Sequence, residues 1–195
     1  MDRQSGHKAQ QALGTLVAVV GPSGAGKDTL MNLSAQHFAD RQDVHFVQRV
    51  ITRPHDSGGE DHRCVTCEEF DEMRQAGAFA IDWNAHGLSY GIPASVREKL
   101  ALGHLVVANG SRSVLDRFAG TFSPFVAVNV VARPDILASR LEARGRESRE
   151  DILRRLARGS LEITGAFDVV TIDNSGSLED AAAHMNQTLS RFLND

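Results

Sequence analysis

The stretch LVAVVGPSGAGKDTLMN at residues 16–32 constrains the fold of this chain more than any other part of it. Its first half is a β-branched apolar run of the kind that forms a buried parallel strand. The glycines that follow permit a tight turn with close backbone approach. The backbone N–H groups of such a turn, together with the positive end of the next helix, attract anions. The stretch therefore predicts a strand, a phosphate-binding loop and a helix in succession.

The predicted loop has the spacing of a nucleotide-binding motif, because Gly21, Gly26 and Lys27 fit the pattern G-x-x-x-x-G-K. Lys27 carries a mobile positive charge that can reach the outer phosphates of a nucleotide, so we predict that it is catalytic. Nucleotide contacts are expected from the whole loop and the first helical turn, namely Gly21, Pro22, Ser23, Gly24, Ala25, Gly26, Lys27, Asp28 and Thr29.

The residue after the lysine departs from the motif, which has Ser or Thr there as a magnesium ligand. This chain has Asp28 at that position and Thr29 next to it. Either the carboxylate of Asp28 binds Mg²⁺, directly or through water, or the hydroxyl of Thr29 takes the role, since both kinds of oxygen suit the ion. The sequence leaves both residues as candidate metal ligands.

Composition restricts the class of protein and its partners. A chain of 195 residues with 42% hydrophobic content can bury one core, and we expect a single domain over residues 15–195. The net charge of -4 makes nucleic acid an unexpected partner. No apolar run has membrane-spanning length, and residues 1–14 lack the hydrophobic part of a secretory signal. We therefore expect a cytoplasmic protein with a disordered leader over residues 1–14 and no membrane partner. The oligomeric state stays open, a homodimer included.

Strand-like and helix-like segments alternate after Thr15, which predicts an α/β fold with a parallel central sheet, right-handed crossovers and flanking helices. One strand is predicted to run from Val44 into the motif RVITRP. Other strands end in polar residues: Asn109 and Arg112 follow the run LVVA, and Asn174 follows the last strand. Because ligands bind at the carboxyl ends of parallel strands, we expect Asn109 and Arg112 to contact the substrate and Asn174 to contact the nucleotide.

Residues from about 48 to 98 are expected to form a small insertion that binds the acceptor. Arg49 and Arg53 lie four residues apart in a segment predicted to be extended, so both point to the same side of it. Trp83 is either a core aromatic or a ligand contact. The phenol of Tyr90, flanked by two small residues, is expected to donate a hydrogen bond to a phosphate.

Arginines are concentrated near the end of the chain, over residues 140–158. One interpretation is an exposed helical surface with i,i+4 ion pairs, and it is favoured for Arg149, Arg154 and Arg158. The other is a lid over residues from about 140 to 155. Arg140 and Arg144 lie one turn apart, the segment GRES then breaks the helix, and Arg155 lies on the next one. Such a lid can close several guanidinium groups over a triphosphate.

Nearly all of the chain after Thr15 resembles the guanylate-kinase-like branch of the P-loop nucleoside monophosphate kinases. The resemblance rests on GPSGAGK, TR at Thr52 and Arg53, VTCEEF, GAFAIDW, YG and RLEARG. It implies a P-loop NTPase fold with ATP and Mg²⁺ as cofactors, and it places Arg53 and Tyr90 at the acceptor's phosphate. The implied catalytic arginines of the lid and transfer site are Arg140, Arg144 and Arg155.

Several residues depart from guanylate kinases at the acceptor site. Asp82 stands where they have Glu before the Trp, Ile92 stands where they have Ser or Thr after YG, and Arg49 is an additional cation. Guanine would lose hydrogen-bond partners at such a site, and each unpaired buried polar group costs about 1–3 kcal/mol. The departures therefore indicate a different acceptor.

Together with Asp28, the motifs VITRP, GGEDH, AHGLSYGIP, NGSR and TIDNSG resemble the ribose 1,5-bisphosphate phosphokinase family of phosphonate breakdown. This resemblance implies transfer of the γ-phosphoryl group of ATP to the 1-phosphate of ribose 1,5-bisphosphate, which gives 5-phosphoribosyl 1-diphosphate. The implied substrate-binding residues are Arg49, Arg53, His62, Asp82, Tyr90, Asn109 and Arg112. Two alternatives stay open: a true guanylate kinase that acts on GMP, and a non-catalytic guanylate-kinase-like module that binds phosphorylated peptides.

Overall fold

The computed structural model describes residues 13–54, 61–143 and 163–193 of the chain. Its strands are β1 (Leu16–Val20), β2 (Val44–Phe46), β3 (Arg49–Ile51), β4 (His62–Cys64), β5 (Phe79–Ala85), β6 (Leu88–Pro93), β7 (Leu105–Asn109), β8 (Phe125–Val131) and β9 (Asp168–Asp173). Its helices are α1 (Lys27–His37), α2 (Cys67–Gln75), α3 (Val96–Ala101), α4 (Leu115–Thr121), α5 (Pro134–Glu142) and α6 (Leu178–Ser190), with a 3-10 turn at Arg112–Val114. None of these helices has the length and apolar character needed to cross a membrane.

The central sheet is five-stranded and parallel, with the order β2-β7-β1-β8-β9. The middle strand, β1, is buried along its whole length, because the sheet is covered on both faces, and this explains its continuously apolar sequence. On one face Val19 packs in a cluster with Leu30 of α1 and Met185 of α6. On the other face Ala18 packs in a cluster with Phe118 of α4. The predicted α/β fold with a parallel sheet is confirmed.

A second, four-stranded sheet has the order β4-β3-β6-β5. The strand β3 pairs parallel with β4 and antiparallel with β6, and β5 pairs antiparallel with β6. One face of this small sheet packs on α2 through Val50, Phe70 and Phe79. From the other face Trp83 reaches Phe118 of α4, with ring centroids 5.8 Å apart. The small sheet is thereby packed onto the central domain.

The strand predicted to run from Val44 into RVITRP is two strands in two different sheets. The first, β2, pairs with β7 in the central sheet, and Val47 still donates its N–H to the carbonyl of Val107 at 2.8 Å. Only two residues later, Arg49 begins β3 of the small sheet. The chain therefore changes sheets between Val47 and Arg49, and this places Arg49 on the small sheet. The strand ends at Ile51, so Arg53 lies in the bend that follows it and not in the predicted extended segment.

The start of helix α2 has a local cause at Thr66, the residue before its first turn. Thr66 accepts a hydrogen bond from the N–H of Glu69 at 3.1 Å, and the Glu69 carboxylate accepts one from the N–H of Thr66 at 2.7 Å. This reciprocal capping box satisfies two backbone donors that the first helical turn leaves free.

At the start of the fold, Gly14 donates its N–H to the carbonyl of Leu100 at 2.8 Å, and a side chain at residue 14 would collide with the backbone of His104. The folded domain therefore includes Gly14. Residues 1–12 of the predicted leader lie outside the described residues.

Candidate active site

The phosphate-binding loop connects β1 to α1 at the centre of the parallel sheet, as the sequence predicts. Gly26, which precedes α1, has φ of 90°, and Gly21 has φ of 150°. A Cβ at Gly26 would collide with the side-chain amide of Asn174, and one at Gly21 would collide with the carbonyl of Val130. Only glycine fits these two positions, because the loop lies directly against the ends of its neighbouring strands.

The side chain of Lys27 lies over this loop. Its Nζ donates to the carbonyl of Gly21 at 3.0 Å and to that of Pro22 at 3.4 Å. The ammonium group is therefore held at the mouth of the phosphate cradle, where the oxygens of a nucleotide would lie. Since a lysine ammonium is a compact charge with three donors, it can keep a loop contact while it binds a phosphate oxygen.

Asn174, which follows β9, and Arg140 of α5 both contact the phosphate-binding loop. Asn174 is 1% exposed, and its Nδ2 donates to the carbonyl of Ala25 at 2.8 Å. Arg140 of α5 donates from Nη2 to the carbonyl of Asn174 at 2.9 Å and from Nη1 to that of Gly24 at 3.5 Å. The side-chain amide of Asn174 thus donates to a backbone carbonyl, and its own backbone carbonyl accepts from the side chain of Arg140. Its predicted role in nucleotide binding stays a prediction.

Asn174→Ala is expected to loosen the loop. The substitution leaves the buried carbonyl of Ala25 without its donor, which costs about 1–3 kcal/mol of folding free energy, and the KM for ATP rises because the loop is less well ordered. Urea unfolding and steady-state kinetics measure the two effects. Asn84→Ala is the matched control, because Asn84 accepts an exposed hydrogen bond from Ser89 at 3.0 Å on the small sheet. Equal effects of the two substitutions would contradict the role of Asn174 in ordering the loop.

Asp28 and Asn109 meet beside the loop. Asn109, the last residue of β7, donates from Nδ2 to Oδ1 of Asp28 at 2.9 Å. Asn109 is 5% exposed, whereas Asp28 is half-buried in the first turn of α1. The structure therefore places Asn109 against a predicted magnesium ligand. A direct contact of Asn109 with the substrate stays a prediction.

The donor set fits a magnesium ion that is shared with a nucleotide. Within residues 13–54, 61–143 and 163–193 there is no group of three or more His, Cys, Asp or Glu side chains that could hold a metal ion. Mg²⁺ in kinase sites needs no such cage, because it binds one or two carboxylates together with phosphates and water. Asp28 can supply a carboxylate, whereas Thr29 is exposed on α1. Which of the two binds the ion stays a prediction.

The face of the small sheet that lies opposite to α2, called the cleft face below, carries a stack of Arg49, Trp83 and Tyr90. The two rings are nearly parallel, with centroids 5.4 Å apart and an interplanar angle of 8°. The guanidinium of Arg49 lies 5.0 Å from the Tyr90 ring centroid and 5.7 Å from that of Trp83. Trp83 is 3% exposed and packs in the core, so the core interpretation of this residue is confirmed. Cation–π contact holds the guanidinium of Arg49 in place on the rings.

Arg53 and His62 form a second polar pair on the small sheet. His62 donates from Nε2 to the carbonyl of Arg53 at 3.0 Å, and its Nδ1 accepts from Nη2 of Arg53 at 3.3 Å. The Nε atom of Arg53 is buried and has no hydrogen-bond partner among the described residues. A buried donor of this kind is normally satisfied. Arg53 as a whole is partly exposed, and its contact with a phosphate stays a prediction. His62 orients this arginine.

Asp82 does not lie with these residues. It alternates with Trp83 along β5, so it points to the opposite face of the small sheet, where Nε of Arg74 on α2 lies 3.1 Å from its carboxylate. Ile92 is fully buried in the core. Neither residue presents a hydrogen-bonding group to the cleft in this arrangement. The predicted substrate contact of Asp82 therefore has no support in the geometry.

Arg112 begins the 3-10 turn after β7, at the carboxyl edge of the central sheet. Burial lowers the pKa of this guanidinium from its ordinary value, and an arginine stays protonated at neutral pH despite such a shift. It thus adds a positive charge at this edge. Arg144 and Arg155, the other two predicted lid arginines, lie outside the described residues.

A groove of about 150 Å³ extends from Asp28 along α1 to the segment that joins the two sheets. Its lining residues are Asp28, Met31, Asn32, Ala35, Phe46, Val47, Gln48 and Asp61. Nε2 of Gln48 donates to the Asp61 carboxylate at 2.9 Å across its edge. The sequence analysis did not predict Gln48 or Asp61 as site residues. Asp61 could have been found, because it belongs to the motif GGEDH of the family resemblance.

Comparison with known proteins adds the family. The guanylate kinase family model matches residues 14–192. Ribose 1,5-bisphosphate phosphokinase PhnN of Rhizobium etli is 57% identical over 180 residues, covering 92% of this chain and 91% of the relative. The protein of the same name from Agrobacterium fabrum is 56% identical over 176 residues, covering 90% and 96%. A solved guanylate kinase from Anaplasma phagocytophilum superposes with a TM-score of 0.69 at 17% identity, covering 94% of this chain and 89% of that one.

The parallel sheet, the glycine loop and Lys27 define the class of protein as a P-loop kinase. Its likeness to the solved guanylate kinase is one of fold. The chain belongs to the guanylate kinase family. Within that family it groups with relatives that carry the name ribose 1,5-bisphosphate phosphokinase. The predicted membership and the predicted enzyme class, a phosphotransferase, are both confirmed.

Proposed function

We propose that this protein transfers the γ-phosphoryl group of ATP to the 1-phosphate of ribose 1,5-bisphosphate and so forms 5-phospho-α-D-ribose 1-diphosphate. The observation that carries the proposal is the stack of Arg49 on Trp83 and Tyr90. This stack lies on the cleft face of the small sheet, which would form the wall of the acceptor site. The guanidinium of Arg49 in this wall suits an acceptor that carries two phosphates and no base. The names of the relatives agree with this acceptor.

The chemistry requires positioning and charge neutralisation rather than a catalytic base. A phosphate oxygen of the acceptor is already ionised at neutral pH, so no proton has to be removed before attack. When bound, ATP supplies the phosphoryl group and Mg²⁺ neutralises part of its charge. Lys27 would bind the transferred phosphate, Asp28 would hold the metal, and Arg140, Arg144 and Arg155 would complete the charge around the transition state.

On the acceptor side, the partly exposed guanidinium of Arg53 would bind a phosphate, and His62 would hold this arginine in place. Arg49 and the phenol of Tyr90 would bind the acceptor from the same wall. The product would serve 5-phosphoribosyl 1-diphosphate supply during phosphonate breakdown in the cytoplasm. The proposed partners are small molecules, and neither nucleic acid nor a membrane is among them. The oligomeric state stays open, a homodimer included.

Asp28→Asn tests the metal role. The variant keeps the size of the side chain but loses its charge, so it is expected to need about tenfold more Mg²⁺ for half-maximal rate, in line with the loss of one carboxylate ligand. Initial rates measured over a magnesium titration at saturating ATP give the half-maximal concentration. Thr29→Val is the comparison variant, because Thr29 is the other candidate. A changed titration for Thr29→Val with an unchanged one for Asp28→Asn would transfer the role to Thr29.

One assay separates the proposal from its two alternatives. Purified protein is incubated with ATP and Mg²⁺ together with ribose 1,5-bisphosphate or with GMP, and the products are identified by ³¹P NMR and mass spectrometry. We expect a new diphosphate signal from ribose 1,5-bisphosphate and at most slow formation of GDP. Preferred turnover of GMP would identify a guanylate kinase, and no transfer to either acceptor would favour a binding module. The orientation of Asp82 toward Arg74, away from the cleft, speaks against the guanine acceptor.

A further inference from the structure

The contact between Asp28 and Asn109 joins the position at which this chain departs from the P-loop motif to the end of a neighbouring strand. Asp28 directly follows the loop lysine, and Asn109 ends β7, the strand next to β1. P-loop proteins hold Mg²⁺ with a Ser or Thr after the lysine and with an aspartate from another strand. Here the carboxylate follows the lysine, and a neutral amide stands at the end of the neighbouring strand. The two side chains are 2.9 Å apart, from Nδ2 of Asn109 to Oδ1 of Asp28.

We propose that the two positions have exchanged roles: Asp28 supplies the carboxylate for the metal, and Asn109 is a positioning residue that fixes this carboxylate through its amide. The proposal rests on the proposed ATP-dependent function of the same site. It extends that function by naming Asn109 as a specific partner of the metal ligand and by making the two residues interdependent.

The local environment explains why the charge lies on Asp28. Asp28 is half-buried in the first turn of α1, where the partial positive charge of the helix end stabilises a carboxylate. Asn109 is 5% exposed at the end of a buried strand, where a carboxylate would lose most of its hydration. A negative charge is therefore better placed on the helix than on the strand.

The chemistry of Asn109 explains why an amide is its partner. An aspartate at 109 would bring two like charges to hydrogen-bonding distance, which disfavours ionisation of both. An amide instead donates a hydrogen bond to Oδ1 and adds no charge. One oxygen of Asp28 is then held by Asn109, and the ligand enters the metal site with a defined orientation. Outer partners of this kind typically change metal affinity by about 10–100-fold when removed.

A charge-exchange cycle tests the proposal. The parent, Asp28→Ser, Asn109→Asp and the double variant are compared for binding of the non-hydrolysable analogue adenosine 5′-(β,γ-imido)triphosphate. Binding is measured by calorimetry with Mn²⁺ and again with EDTA, and bound Mn²⁺ is counted by electron paramagnetic resonance. Asp28→Ser is expected to weaken Mn²⁺-dependent binding by about tenfold or more. The double variant, which has the common hydroxyl–carboxylate pair, should bind Mn²⁺ more tightly than Asp28→Ser because the two sites are coupled, but more weakly than the parent because the carboxylate at residue 109 is poorly hydrated.

The outcomes separate this proposal from the proposed function. Binding of metal and nucleotide requires no acceptor, so the cycle gives a result even if ribose 1,5-bisphosphate is not the substrate. A double variant that melts like the parent but binds Mn²⁺ no better than Asp28→Ser overturns the exchange. Should the double variant be unfolded at the assay temperature, Asn109→Ala decides instead. A loss of about tenfold in Mn²⁺-dependent binding, with unchanged binding in EDTA, supports the positioning role, and unchanged binding in both conditions overturns it.

Discussion

Lys27→Ala is expected to lower kcat by a factor of about 100–1,000, the usual loss when one donor to the transition-state charge is removed. The reason is the position of the ammonium group at the mouth of the loop, where it donates hydrogen bonds to the carbonyls of Gly21 and Pro22. Gly21 and Pro22 are only partly buried, so water can solvate their carbonyls, and the melting temperature should change little. Single-turnover kinetics and calorimetric melting measure the two quantities.

Lys99→Ala is the matched control for this substitution. Lys99 is an exposed lysine of α3, which is not part of the phosphate-binding loop. Its removal changes the net charge by the same amount as Lys27→Ala but leaves the loop intact. We expect its kcat to equal that of the parent. A Lys27→Ala enzyme that retains kcat within a factor of about ten would be incompatible with a contact to transferred phosphate, since such contacts contribute several kcal/mol.

Arg49→Ser is expected to reduce kcat/KM for ribose 1,5-bisphosphate by about 10–150-fold, which corresponds to a charge-assisted contact of roughly 1.5–3 kcal/mol. The KM for ATP should stay near that of the parent, because Arg49 lies on the small sheet with Trp83 and Tyr90 and not on the phosphate loop. Arg49 is 8% exposed, so its loss also removes a desolvated cation–π contact and lowers the melting temperature.

The small sheet provides the control that separates packing from binding. Arg74 stacks on Phe70 with its guanidinium carbon 5.2 Å from the ring centroid, but on the α2 side of the sheet. Arg74→Ser therefore removes a comparable stacked arginine without reaching the cleft. Steady-state kinetics with each substrate varied in turn should show an acceptor-specific loss for Arg49→Ser alone. Equal losses for ATP and acceptor, or the same acceptor loss in both variants, would remove Arg49 from the acceptor site.

The elements that are confirmed are those whose cause lies within a few residues. The run LVAVV forms β1 because every residue in it is apolar, and the loop glycines define the turn that follows. The start of α2 is encoded by Thr66 and Glu69, three residues apart. The order of the strands in the sheet is not visible in any such window, but the family resemblance implied the fold, and the fold is confirmed.

Two features of the site are decided by contacts between distant residues. The segment from Val44 to Ile51 contains two short strands, and only the pairing of the first with β7 and of the second with β4 and β6 divides the segment between two sheets. Asp82 likewise alternates with Trp83 along β5, and it points away from the cleft because Trp83 is committed to the core. The sequence contains the alternation but not which face is inward.

The sequence by itself determined the class of chemistry, because the glycines, Lys27 and Asp28 are contiguous and their geometry depends on local backbone conformation. Only the tertiary structure decided which side chains cooperate with that loop. Asn174 reaches Ala25 across 149 positions of the chain, and Asn109 reaches Asp28 across 81. Such pairings arise because parallel strands bring their carboxyl ends to one edge of the sheet. The separation of two residues along the chain does not indicate whether they will be in contact at that edge.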